Sequence, residues 1–255
     1  MKFTVTKIHL IIFFGVFSFM QIKSQLLSDR ENLFDSGWRF HLGGAQGAEN
    51  PQFDDSQWRK IDLPHDWSIE DLPGTNSPFS INAISQVSGG FTTGGSGWYR
   101  KTFTIADNLK GKRFRILFEG VYMNAEVWIN GRQPGNHPYG YSSFWFDITD
   151  NLKFEEENVL CVKVKNEGEN CRWYSGSGIY RHVWLQVVSP VHIETWGTYI
   201  TTPQVSDAEA LVNIKTTIVN ESKEPREIKL VTKILDKLYQ EVSQAEVTVK
   251  IEAGK

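Results

Sequence analysis

Beyond residue 24, apolar residues recur at alternate positions in short runs, and no long stretch keeps a 3.6-residue period. These runs predict strands at Trp98–Ile105, Arg113–Val121, Ala125–Asn130, Ser143–Thr149, Asn158–Lys165 and His182–Val188. Lys110-Gly111, Asn130-Gly131, Pro134-Gly135 and Glu167-Gly168 supply turn chemistry between them, and Asn130-Gly131 is the clearest tight-turn signal. Many short strands at this spacing predict an all-β chain built as an antiparallel sandwich or jelly roll.

Residues 33–97 are less regular. Asp35–Phe40 reads as an edge strand, Phe53–Trp58 as one short helical turn, and Gly74–Gly97 as a long Gly/Ser/Thr-rich loop punctuated by Phe79 and Phe91. A loop of that length inside a compact domain is expected to be ordered and functional. After Ser189-Pro190 a second unit begins, with strands at His192–Thr201, Ala210–Val219, Glu227–Leu235 and Val242–Ile251. Its alternation, Val212, Ile214, Thr216 and Ile218 against Leu211, Asn213, Lys215 and Thr217, suits a sheet with one solvated face. It reads as the opening of an immunoglobulin-like sandwich, left incomplete because such a domain needs about 100 residues.

The N-terminus reads as a signal peptide, residues 1–24: Lys2 and Lys7 precede the apolar run Ile8–Met20, too short for a stable membrane span. The protein is thus expected to be exported, to the periplasm or beyond the cell; an uncleaved anchor is the alternative. No Cys follows the run, which argues against a lipid-anchored form. The formal net charge of −3, with no basic stripe, excludes nucleic acid as a natural partner. Cys161 and Cys171 could pair in an exported protein, although Cys161 also suits simple core filling. Two cysteines without His spacing make no metal site, and no cofactor is implied.

Most of the aromatic residues (Trp 9, Tyr 8, Phe 16) are expected in the core, a few at the surface where flat rings cover sugar C–H faces. Arg172-Trp-Tyr-Ser-Gly-Ser-Gly-Ile-Tyr-Arg-His-Val-Trp184 joins charge, adjacent aromatics and a Gly/Ser hinge, a composition suited to a rim loop that meets a polar ligand. Asp54-Asp55 and Glu155–Glu157 read as surface charge, because adjacent carboxylates on a turn do not converge on one bond. His65-Asp66 has no nucleophile to complete a triad, and Trp67 reads as a core anchor. His137 reads as a structural residue in a loop, and Gly89–Gly97 is no phosphate cradle, since neither a Lys nor a helix follows at the required spacing.

Seven segments, in order, resemble the N-terminal sugar-binding domain of glycoside hydrolase family 2, the β-galactosidase, β-glucuronidase and β-mannosidase group. They are Leu63-Pro-His-Asp-Trp67, Gly97-Trp-Tyr-Arg-Lys101, Phe118-Glu-Gly-Val-Tyr122, Ala125–Gly131, Gly140–Phe144, Asp147-Ile-Thr149 and Ser175–Arg181. The resemblance implies a galactose-binding-like jelly roll over 25–189 and the start of an immunoglobulin-like domain over 190–255. It further implies an exported retaining β-glycosidase, probing toward β-galactosides, whose two catalytic glutamates sit about 5 Å apart on a (β/α)₈ barrel outside this sequence. This stretch therefore carries no catalytic residue. Its implied partners are a β-glycoside substrate and the protein's own barrel, and homo-oligomers are compatible with it. Substrate contacts are implied at Asn166, Arg172, Trp173 and Tyr174; Asn166 stands near the position where some relatives place an aspartate against a sugar hydroxyl and a sodium ion. An amide lacks the charge that favours a cation, so no metal is expected there. A stand-alone carbohydrate-binding module and a structural surface protein remain the alternatives.

Overall fold

The computed structural model describes residues 30–72, 78–168, 175–206 and 209–254. The described residues form fourteen strands and three short 3-10 turns, with no α-helix. Ten strands make a sandwich of two antiparallel sheets. One has the order β1 (Glu31–Leu33), β10 (Val183–Val188), β5 (Arg113–Phe118), β8 (Phe144–Asp147). The other runs β3 (Arg59–Ile61), β2 (Trp38–Leu42), β4 (Gly95–Thr104), β9 (Glu157–Asn166), β6 (Ala125–Ile129), β7 (Arg132–His137).

Period-two side-chain placement explains the core. Ala125, Val127 and Ile129 of β6 point inward while Glu126 and Trp128 point out. From the facing sheet come Phe114, Ile116 and Phe118 of β5 with Val183, Leu185 and Val187 of β10. Asn130 and Gly131 both adopt positive φ, 50° and 79°, and connect β6 to β7. Asn130 also closes the turn with its side chain: Val159 N donates to Oδ1 at 2.9 Å, and Nδ2 donates to Asn151 O and Asn158 Oδ1, each at 2.8 Å.

Three local expectations change. β2 lies inside its sheet, because β3, too short and charged to stand out in the sequence, pairs with its outer side. Phe53–Trp58 forms turns instead of helix: Asp54 Oδ1 accepts from Ser56 N at 2.9 Å, a local bond that competes with helical pairing. His137 lies in β7, where it stacks on Phe144 at 4.2 Å. Cys161 fills a buried position as a free thiol, and burial pushes its pKa up to about 12; Cys171 lies outside the described residues.

The strands after Val188 form two hairpins, β11 (Val191–Val205) with β12 (Ala210–Asn220) and β13 (Arg226–Leu235) with β14 (Glu241–Ile251). The first hairpin covers the outer face of β5. Arg115 Nη1 donates to Glu194 Oε1 at 2.9 Å and Thr195 Oγ1 at 3.1 Å, and Nη2 donates to Glu221 at 3.3 Å. No helix of the described residues is long and apolar enough to cross a membrane.

Candidate functional site

The strands converge on one end of the sandwich, where β9 terminates at Asn166. That side chain is 4 % exposed; its Nδ2 donates to Gly176 O at 3.0 Å and to Ser177 Oγ at 2.7 Å. Its Oδ1 is buried with no hydrogen-bond partner among the described residues. Asn166 thus ties the end of β9 to residues 176–177, across the segment that holds Arg172, Trp173 and Tyr174. Those three candidates lie outside the described residues.

The far flank of the segment is fastened to the Leu63–Trp67 stretch. His65 N donates to Ile179 O at 2.8 Å, Trp67 N to Ser177 O at 3.0 Å, and Ser177 N to Asp66 Oδ1 at 2.8 Å. Tyr122 and Gly178 exchange backbone bonds of 2.8 and 2.9 Å. Gly178, at φ +132°, is required there, since a Cβ would stand 2.4 Å from Tyr99 Oη and 2.5 Å from His65 O. Trp67 is buried and its indole N–H donates to Gly94 O at 3.3 Å, as expected of an anchor.

His65 and Asp66 do not pair with each other. His65 Nδ1 lies 2.7 Å from Tyr99 Oη and Nε2 lies 3.0 Å from Glu70 Oε1, while Arg59 grips Glu70 with bonds of 3.0 and 2.6 Å. Burial holds the His65 pKa below its ordinary value, against the opposing pull of Glu70, and burial also raises that of Tyr99 well above the ordinary phenol range. A neutral ring fits this network, with Nε2–H donating to Glu70 and Nδ1 accepting from the Tyr99 hydroxyl. The chain Arg59–Glu70–His65–Tyr99 braces the floor of the rim.

Beside the fastened loop opens a cleft of ≈ 380 Å³ lined by Asp66, Thr92, Tyr122, Tyr141, Ser175 and Tyr180 among others. Tyr122 and Tyr141 meet edge to face at 5.1 Å, and Tyr180 Oη donates to Gly140 O at 2.8 Å. Burial raises the Tyr180 pKa, so its phenol stays protonated at neutral pH. Asp66 is the one carboxylate among the described lining residues, and its Oδ1 takes Ser68 N, Ser68 Oγ and Ser177 N within 2.9 Å. Such a cleft offers ring faces, hydroxyls and an acceptor to a polar ligand, and its described lining holds one carboxylate where retaining hydrolysis uses two. No group of three or more metal-ligating side chains occurs among the described residues. Sequence reasoning missed the cleft tyrosines as binding candidates. Their signal lay in Phe118–Tyr122 and Gly140–Phe144, which only the strand order brings together.

Glu155–Glu157 are exposed, as expected of surface charge. Asp55 is a correction: it is half-buried and receives Arg100 Nε at 2.8 Å and Arg39 Nε at 3.2 Å. A buried cation two strands away is not visible from a local Asp-Asp pair.

A profile of the sugar-binding domain of glycosyl hydrolases family 2 matches residues 32–189. A β-galactosidase of Bacteroides ovatus is 48% identical over 234 residues, 91% of this chain and 27% of its own length. A β-glucuronidase of Formosa agariphila is 32% identical over 87% of this chain and 24% of its own length. A solved glycosyl hydrolase family 2 member from Bacteroides cellulosilyticus superposes with a TM-score of 0.84 at 50% identity, over 89% of this chain and 30% of that one. The chain therefore spans 24% to 30% of the length of these relatives.

Proposed function

The chain belongs to glycosyl hydrolase family 2, and we propose that it is the non-catalytic N-terminal part of an exported, retaining, β-galactosidase-like glycosidase. The observation that carries this reading is a likeness that runs through 91% of the chain yet covers 27% of a β-galactosidase. In this reading the rim cleft and the 169–174 segment help to hold the terminal sugar, while the bond-breaking carboxyls lie on a separate barrel. Asn166 fastens Gly176 and Ser177 to the end of β9, and Arg172, Trp173 and Tyr174 meet the sugar.

An apolar loop beside the cleft supports the role of the barrel as partner. Ile69, Phe79, Ile81, Ile84 and Val87 are all exposed, a density of bare apolar surface that marks an interaction face. Export rests on the charged and apolar pattern of residues 1–24, and N-terminal sequencing of the secreted protein checks it.

The deciding experiment compares this chain with the complete gene product on nitrophenyl β-glycosides. The chain is expected to be inactive and the complete protein active, with the β-galactoside preferred. In the complete protein, Asn166→Ala and Arg172→Ala are expected to lower kcat/KM more than Glu156→Ala. Turnover by a clean preparation of the chain, or three variants alike, overturns the assignment.

A further inference from the structure

The outer face of the six-stranded sheet carries a groove that has no part in the rim cleft. Its floor is Trp98 of β4 and Trp128 of β6, whose rings stack at 5.8 Å and 22°. Lys163 Nζ stands 4.9 Å from the Trp98 ring centre. Gly44–Gly47 forms one wall, and a Cβ on Gly44 or Gly47 would meet nothing within 4 Å. This hollow measures ≈ 450 Å³. A second hollow of ≈ 560 Å³, bounded by Asn124, Gln133 and Asn136, lies next to it, and Glu126 lines both.

The wall is fixed from beneath. Arg100, 2 % exposed, donates to the carbonyls of Ala48 and Asn50, and the loop's Ala48 and Trp58 form an apolar cluster with Trp98 and Cys161. Two acidic residues, Glu49 and Glu126, face two basic ones, Lys163 and Lys165, and Lys165 is already paired with Glu126. Charge is thus balanced, and nothing recruits a phosphate, sulfate or uronate. Trp98 is 5 % exposed, and its indole N–H has no acceptor among the described residues.

We propose that this groove is a second carbohydrate site, which takes the backbone of a neutral oligosaccharide. The half-buried Trp128 indole, backed by the buried Trp98, covers the C–H surface of a pyranose, and the amides of Gln133 and Asn136 serve its hydroxyls. Two adjacent hollows that share Glu126 suit a linear chain of sugars better than a single ring, and the balanced charge selects a neutral one. The site holds the polymer at a distance from the rim, where one terminal sugar would be taken.

Titration of the chain with β-1,4-galactotetraose and with cellotetraose, read by tryptophan fluorescence and calorimetry, tests this. Binding of at least one tetrasaccharide is expected, and free galactose should not displace it. Trp128→Leu should weaken binding by about tenfold or more, the loss typical of a truncated aromatic anchor. Gln133→Ala with Asn136→Ala, both exposed positions that leave the core untouched, should weaken it several-fold at unchanged Tm. Silence of the wild-type chain toward both sugars, displacement by galactose, or undiminished binding by the folded variants would each overturn the proposal. None of these outcomes bears on whether the complete protein hydrolyses a β-galactoside.

Discussion

Arg100 Nε donates to Asp55 Oδ2 at 2.8 Å, an ion pair between the middle of the six-stranded sheet and the loop that folds over it. The same guanidinium also serves Ala48 O, Asn50 O at 3.1 Å and Pro51 O at 3.4 Å. Its fork geometry lets one side chain satisfy an entire loop, which a lysine point charge cannot reproduce.

Arg100→Met should therefore cost about 3–5 kcal/mol, the range for removing one partner of a buried pair and leaving the rest unsatisfied. For a domain of this size the fall in Tm is roughly 6–20 °C. Arg100→Lys should recover only part of it. Thermal unfolding followed by circular dichroism checks both.

Arg115 makes a different connection, from β5 into the second unit. Arg115→Met keeps the stem over Trp145, to which the guanidinium carbon stands 4.3 Å from the ring centre, but loses Glu194 and Glu221. The hairpin β11–β12 should then part from the sandwich before either melts. Faster proteolytic nicking near Ser189-Pro190 and a split unfolding transition are the expected readouts; an unchanged digestion rate would show that apolar contacts suffice.

His182 and His65 should bend the stability profile in opposite directions. The hydrogen bond to Asp35, at 2.6 Å, raises the His182 pKa above 6.5. The stability it adds is complete below pH 6.5 and is lost as pH rises through the raised folded value. Burial lowers the His65 pKa, so below pH 6.5 the unfolded chain takes up a proton that the folded chain refuses, and stability falls on acidification. His137 and His192, also lowered by burial, share the sign of His65. Across pH 5 to 8, His182→Gln should steepen the gain of Tm with pH, and His65→Gln should flatten the loss in acid.

β6 was legible because it has one buried and one less buried face, and Ala125, Val127 and Ile129 read inward in the sequence itself. The short strands β1 and β3 carry little alternation; Arg59-Lys60-Ile61 is strand because β2 offers it a partner. The same distinction governs the rim. The motif singles out Asn166, but its bonds to Gly176 and Ser177 are visible only in the folded chain. Asp66, Tyr122 and Tyr141 come together only through the strand order, and the Arg100–Asp55 pair spans 45 residues. Pattern along a chain records which face is buried; it does not record which loops share an end.

Two glycines on either side of the rim segment allow a direct test of that convergence. Gly178 sits at φ +132° against Tyr99 and His65, whereas a Cβ on Gly168 would meet nothing within 4 Å. Gly178→Ala combines backbone strain with overpacking and should cost about 2–4 kcal/mol. It should also disturb the bridge to Tyr122, and with it the cleft wall, so the complete protein should lose sugar affinity even where it still folds. Gly168→Ala should leave the unfolding free energy within about 0.5 kcal/mol of wild type. If the two variants behave alike in melting and in galactoside KM, then the Gly178–Tyr122 bridge does not set the geometry of the rim.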